Sequence, residues 1–186
     1  MKMTVFSGAL FLCMATNAFA ASVSQQGVIK LNGYIYPSTC ELDINGQGPK
    51  NATIQMGRFP TSMFNNVGDE VGGTGGNGLV KISLKNCPDT GELEVKFSGS
   101  TNQSDIRVLT LDNTVANDTA QGVGIHLYNA KDQSKPLALD GSEVLKRTVD
   151  NSQTFEESFL TKYVSTDKNV TPGEANGTIN FSITYK

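Results

Sequence analysis

One histidine, three cysteines and no tryptophan are thin material for catalysis in a chain of 186 residues. His126 lies in the run Gly-Ile-His-Leu-Tyr, residues 124–128, so its side chain points away from the face shared by Ile125 and Leu127. No nucleophile context surrounds it and no second histidine exists to share a metal ion. A partly exposed strand residue is the expectation. Asp43, Asp69-Glu70 and Glu156-Glu157 supply the paired carboxylates that glycosidic chemistry requires, but no shared pocket can be argued for them, and solvated charges are expected. The sequons at Asn51, Asn102, Asn117, Asn169, Asn176 and Asn180 would matter in a secreted eukaryotic protein. A formal charge of -3 and a pI of about 5.1 speak against nucleic acid as a partner, which demands a basic face. The expectation is a protein that is not an enzyme and holds no cofactor or metal.

The elements that would position these residues begin with an export signal. Met1-Lys2 gives a basic start, Val5 to Ala15 is largely apolar, and Ala18-Phe19-Ala20 has the small-x-small form of a signal-peptidase site. Such a stretch is too short to span a bilayer, so residues 1–20 are expected to be removed, with no membrane span beyond them. Cys13 leaves with the signal. Cys40 and Cys87 then remain in an oxidising compartment, where an even pair reads as one disulfide. The bridge closes a loop of about 47 residues, worth on the order of 4 kcal/mol in the chain-entropy model. Free thiols or metal ligands are the rival reading, with no histidine or second cysteine pair nearby to support it.

The rest of the chain has the two-residue period of strands with one buried face. Residues 27–35 alternate loosely, with Ile29, Leu31 and Ile35 among the apolar positions; residues 79–84 and 93–97 alternate more cleanly. At the end, Ile179, Phe181, Ile183 and Tyr185 share one face and Thr178, Asn180, Ser182 and Thr184 the other. In residues 154–163 the aromatics Phe155, Phe159 and Tyr163 are four apart, which fits a helix face and a strand face alike; threonine and aromatic enrichment favours a strand. Turn signals at Asn45-Gly46, Pro88-Asp89, Asp140-Gly141, Pro172-Gly173 and Asn176-Gly177 separate the segments. Many short strands so spaced predict an all-β sandwich. The glycine-rich run 68–78 is expected to be a mobile loop that packs no core, and no Gly-Lys-Ser/Thr follows it to make a phosphate cradle.

Taken in order, these residues resemble the pilin subunits of chaperone–usher fimbriae, close to the type 1 pilin family. The likeness spans nearly the whole mature chain: Gly27 and Gly33 in an alternating segment, Cys40 seven residues on, and Asn86-Cys87-Pro88 after Ile82-Ser-Leu84. It continues through Phe97-Ser-Gly99, Gly122-Val-Gly-Ile125, Tyr163 and Val170-Thr-Pro-Gly173 to the ending Phe181-Ser-Ile-Thr-Tyr185. Gly173 is fourteenth from the end and Tyr185 penultimate, both positions that the family marks. The glycine content of 68–78 and the weak pattern of 140–158 depart from the family.

The resemblance implies an incomplete immunoglobulin-like sandwich lacking its last strand, completed by a donor strand from a partner. It divides the chain into a signal (1–20), an N-terminal donor-strand extension (21–33) and a pilin domain (34–186). Val23, Gln25, Gly27, Ile29 and Leu31 are expected to form the donor face. Gly173, Ile179, Phe181, Ile183, Tyr185 and Lys186 are expected to form the acceptor strand where a periplasmic chaperone docks. A missing strand at one end and a spare one at the other imply head-to-tail joining by strand addition, a heterologous contact that gives an open filament. The implied partners are other copies or related fimbrial subunits, the chaperone and an outer-membrane usher, and the implied location is a fimbria on the bacterial surface. A structural subunit is expected; the alternative is a minor adaptor or adhesive subunit binding a host-surface receptor.

Overall fold

The computed structural model describes residues 28, 30–32, 40–87, 91–112, 118–149 and 154–186. The expected signal peptide and the donor positions Val23, Gln25, Gly27 and Ile29 lie outside the described residues. Leu31, with Val28, is almost fully exposed. Residues 1–36 form one unit and residues 37–186 the other.

The second unit is built from ten strands: β1 (Glu41–Ile44), β2 (Glu70–Val71), β3 (Leu79–Lys85), β4 (Gly91–Ser98), β5 (Thr101–Asn102), β6 (Asp105–Leu109), β7 (Val123–Asn129), β8 (Leu145–Val149), β9 (Phe155–Ser165) and β10 (Asn180–Tyr185). One sheet runs β1-β3-β9-β7-β6-β5, with β2 also on β9; the other runs β10-β4-β8. Every pairing is antiparallel. The ambiguous aromatic segment is a strand: β9 turns Phe159 and Tyr163 into the core and Glu156 outward. Between the sheets, the rings of Phe97 on β4 and Phe159 on β9 meet edge to face at 4.8 Å.

Two devices close parts of this sandwich. Cys40 and Cys87 are bridged, joining the approach to β1 with the end of β3, and Leu84, Leu93 and Val149 cluster beneath Cys87. Away from β10, Arg147 on β8 grips Glu157 on β9 with both arms, Nε to Oε2 at 2.9 Å and Nη2 to Oε1 at 3.0 Å. Asn129 on β7 donates a third bond to the same carboxylate at 2.7 Å. Burial pushes the Glu157 carboxyl upward, but the bonds from Arg147 and Asn129 outweigh it and hold the group below the usual range.

Three expectations need correction here. Glu157 is a buried, cross-sheet partner rather than a solvated charge. The glycine-rich run does pack core: β2 lies within it, Val71 is buried in the main cluster, and β2 and β3 line the same edge of β9. Glycines 72, 73, 75, 76 and 78 have positive φ, so they shape the excursion between the two strands. Glu70 is not a free charge either. Its carboxylate accepts from Tyr128 Oη and lies 2.6 Å from His126 Nδ1, which leaves the His126 side chain only 12% exposed. Asp43, by contrast, serves the Asn45-Gly46 turn, accepting from the backbone amides of Gly46 and Gly48. Among the described residues no helix is long and apolar enough to cross a membrane.

Replacing both Cys40 and Cys87 by Ser should lower unfolding stability by about 2–5 kcal/mol in a denaturant titration, and should remove any effect of added reductant. Arg147→Ala should cost about 2 kcal/mol at pH 7; the full value for breaking a buried pair is reduced because Arg147 is a third exposed. Since the Glu157 pKa is lowered by folding, the stability this group supplies is present at neutral pH and lost as pH falls through the folded value. The gap between wild type and variant should therefore narrow below about pH 4, as read by melts at several pH values.

Candidate functional site

The strand β10 has the face expected from its sequence, with Phe181, Ile183 and Tyr185 turned inward and Asn180, Ser182 and Thr184 exposed. Its burial is nevertheless incomplete. Opposite it on β4, Phe97, Val95 and Leu93 are 5%, 3% and 1% exposed, whereas their register partners Phe181, Ile183 and Tyr185 are only partly buried. The same core covers one strand and not its neighbour because β10 is the edge of its sheet.

Backbone geometry sharpens the asymmetry. Lys186 and Glu92 exchange both backbone hydrogen bonds, so in an antiparallel ladder the pairs 184–94, 182–96 and 180–98 are the bonded ones. The N–H and C=O groups of Phe181 and Ile183 therefore point away from β4, to a side on which no described strand pairs. An edge of this kind is a template for another strand.

Beside that edge opens a groove of about 1630 Å³. Its floor is sandwich core: Ile82, Phe97, Leu109, Ile125, Leu127 and Tyr163 all line it. One rim is the approach to β10, residues 177–181; the other is residues 50–61, an extended wall that belongs to no strand. The wall is tethered where the Gln47 amide brackets the backbone of Thr53 and where Gly78 N–H donates to Gln55 O at 2.8 Å. Phe59 packs its ring edge-on against Tyr163 at 6.1 Å. Tyr163 in turn donates to Ala175 O at 2.8 Å and so fixes the chain that leads into β10; burial raises its phenol pKa.

The expected acceptor residues thus fall in two places. Ile179, Phe181, Ile183 and Tyr185 share the face that packs on core, with Ile179 just ahead of the strand. Lys186 is exposed, with Nζ 2.7 Å from Glu94. Gly173 lies further back, where its chain crosses residues 118–120: a Cβ there would meet Ala120 N and stand 2.6 Å from Asp118 O. The wall is absent from the strands expected above. Its residues 51–57 nevertheless alternate, with Ala52, Ile54 and Met56 partly buried between exposed Asn51, Thr53, Gln55 and Gly57, and Phe59 follows as the aromatic anchor. A second cleft of about 760 Å³, around Arg147 and Glu157, is lined by charges largely satisfied within the fold.

Tyr163→Phe should leave the fold intact and lower stability by about 1 kcal/mol, the net value of one hydrogen bond, in a thermal melt followed by circular dichroism.

A family model described as fimbrial protein matches residues 29–186. A type-1 fimbrial protein subunit of Serratia marcescens is 35% identical, over 92% of this chain and 91% of its own. Long polar fimbria protein A of Salmonella typhimurium is 28% identical over 100% of this chain and 98% of its own. Among solved structures, a type I fimbria protein of Burkholderia pseudomallei is 28% identical and superposes with a TM-score of 0.55 over 81% of this chain and 91% of that one. The P pilus rod subunit PapA shares the fold, with a TM-score of 0.60 at 18% identity, over 80% of this chain and 100% of that one.

Proposed function

This chain belongs to the fimbrial protein family and is a structural subunit of a fimbria, and from that premise we propose that its groove is where a neighbouring subunit adds the strand this sandwich lacks. The observation that supports the reading most is the burial contrast across the β10–β4 ladder: a strand with a core face, an unpaired edge and an open groove beside it. An incoming strand would gain the outward backbone groups of Phe181 and Ile183, and its alternate side chains would enter the groove over Leu109, Ile125 and Tyr163.

The donor is residues 21–33 of the next subunit, with Val23, Gln25, Gly27, Ile29 and Leu31 facing the groove. Thirteen extended residues span roughly 40 Å, more than the roughly 20 Å of a six-residue strand such as β10, so the segment is long enough. Because donor and groove are different surfaces, the contact repeats as an open fibre rather than closing as a pair. Before assembly a periplasmic chaperone covers the groove, docking along β10 to the carboxylate of Lys186, and an outer-membrane usher receives the complex. The fibre stands on the bacterial surface.

Gly27 is the discriminating residue. A glycine in a row of donor side chains marks a place where the groove floor leaves no room for a side chain. Chaperone-bound subunit incubated with a peptide of residues 21–33 should release its chaperone as the peptide takes the groove. The same peptide with Gly27→Arg should release little or none. Equal release by the two peptides would contradict the role of Gly27, and no release by either would contradict strand addition at this groove.

A further inference from the structure

The glycine-rich excursion between β2 and β3 reaches two places at once. At its base, Glu70 extends over the outer face of β9 to a cluster of side chains. Its Oε1 accepts from Tyr128 Oη and lies 2.6 Å from His126 Nδ1, both on β7, and its Oε2 lies 3.5 Å from Lys162 Nζ on β9. Lys162 also stands 4.8 Å above the Tyr128 ring. Burial pushes the Glu70 carboxyl up, but the bonds from Tyr128 and His126 and the nearby positive charge hold it below the usual range. The same burial and the Glu70 carboxylate push the Tyr128 phenol upward. One residue beyond Glu70, Val71 enters the core.

The excursion then meets the groove wall. Gly72, at φ +98°, lies beside the Phe59 ring, where a Cβ would stand in ordinary contact at 3.5 Å. Gly57, at φ +94°, faces the same ring, with a Cβ 3.2 Å away. Phe59 therefore sits in a slot made by Gly57, Gly72 and the edge of Tyr163, and it anchors the wall. Asn77 lines the groove and Gly78 donates to Gln55 of the wall. A continuous path of contact runs from the Glu70 cluster, through Gly72 and Phe59, to the rim that an incoming strand must meet.

We propose that Glu70, clasped by His126, Tyr128 and Lys162, is a positioning residue for the groove: it holds the glycine-rich excursion so that Phe59 keeps the wall at residues 50–61 ready to receive a strand. This rests on the strand-addition reading and adds to it a control of the rate. The Gln47 and Gly78 bonds hold the wall at Thr53 and Gln55, and Met56 Sδ accepts from Thr161 Oγ1; beyond Met56 it is the Phe59 ring that seats the wall, so its place there depends on what lies behind that ring. Loosening the clasp lets the wall sample positions that cannot pair, and uptake slows in proportion to the lost fraction of receptive wall. The fold itself persists, because β2 keeps its ladder to Val164 and Tyr163, Gly68 and Asp69 keep their bonds to Ser165, and Val71 stays buried.

The test compares chaperone-bound wild type, Glu70→Gln and Gly72→Ala in uptake of the wild-type peptide of residues 21–33, followed by chaperone release. Glu70→Gln removes the charge with little change of shape; Gly72→Ala leaves the clasp alone and strains the backbone, at φ +98°, where the excursion passes Phe59. Lys81→Gln, which breaks an exposed pair with Glu156 on the same sheet, is the control. Both test variants should take up peptide roughly tenfold more slowly than wild type, while the control keeps the wild-type rate. Glu70→Asp should recover part of the rate, which a merely structural role in β2 would not require. Wild-type rates in Glu70→Gln and Gly72→Ala, whatever their melting temperatures, would overturn the proposal. Failure of the wild-type subunit itself to take up peptide would instead overturn the strand-addition reading beneath it.

Discussion

The fold depends on an apolar core that its own strands cover on one side and leave open on another. Leu93, Val95 and Phe97 on β4 are sealed, and the side chains directly across the ladder on β10 are not. The remaining exposure of Ile179, Phe181, Ile183 and Tyr185 represents on the order of 2–4 kcal/mol of burial still to be gained. Each backbone bond that a new strand makes along the edge adds about 0.5–1.5 kcal/mol. For a domain of ordinary stability these are large quantities, comparable with a sizeable share of the whole. The edge is thus a weakness in the isolated subunit and, under the proposed strand addition, the driving force for its association.

Holding one side open requires the rest to be closed firmly. The disulfide ties the approach to β1 to the end of β3, next to the satellite cluster under Tyr185 and Ile183. The Arg147–Glu157–Asn129 network joins the two sheets away from β10, with every oxygen of the buried carboxylate bonded. Such a network is weak evidence for stability in itself. Its consequence is directional: the two sheets are joined at the β8 side and left open where the groove lies.

Strands with one plainly buried face were legible in the sequence. β3, β4, β7 and β10 all follow a period of two, and the face of β10 is the one that its alternation predicted. β8 was not, because Arg147 points inward to Glu157 and places a charge where the pattern expects an apolar residue. Leu137 and Leu139 are deeply buried but sit in irregular chain, so no period announced them. The glycine-rich run misled for a different reason. Glycine content was read as freedom, whereas here positive φ, with close approach to Leu160 at Gly73 and to Thr161 at Gly78, gives the run a defined shape. The groove wall left a trace that was passed over, the alternation of Ala52, Ile54 and Met56; it pairs in no ladder, and side-chain tethers with one aromatic anchor hold it instead.

Amide hydrogen exchange at Phe181 and Ile183, read by NMR, tests the open edge most directly. Both N–H groups point away from β4, so with the groove empty they should exchange quickly while Ser182 and Thr184, bonded to β4, exchange slowly. Once the wild-type peptide of residues 21–33 is bound, Phe181 and Ile183 should become protected to a degree matching their neighbours. Equal protection of all four amides in the empty subunit, or no change at Phe181 and Ile183 on binding, would contradict an edge that waits for its strand.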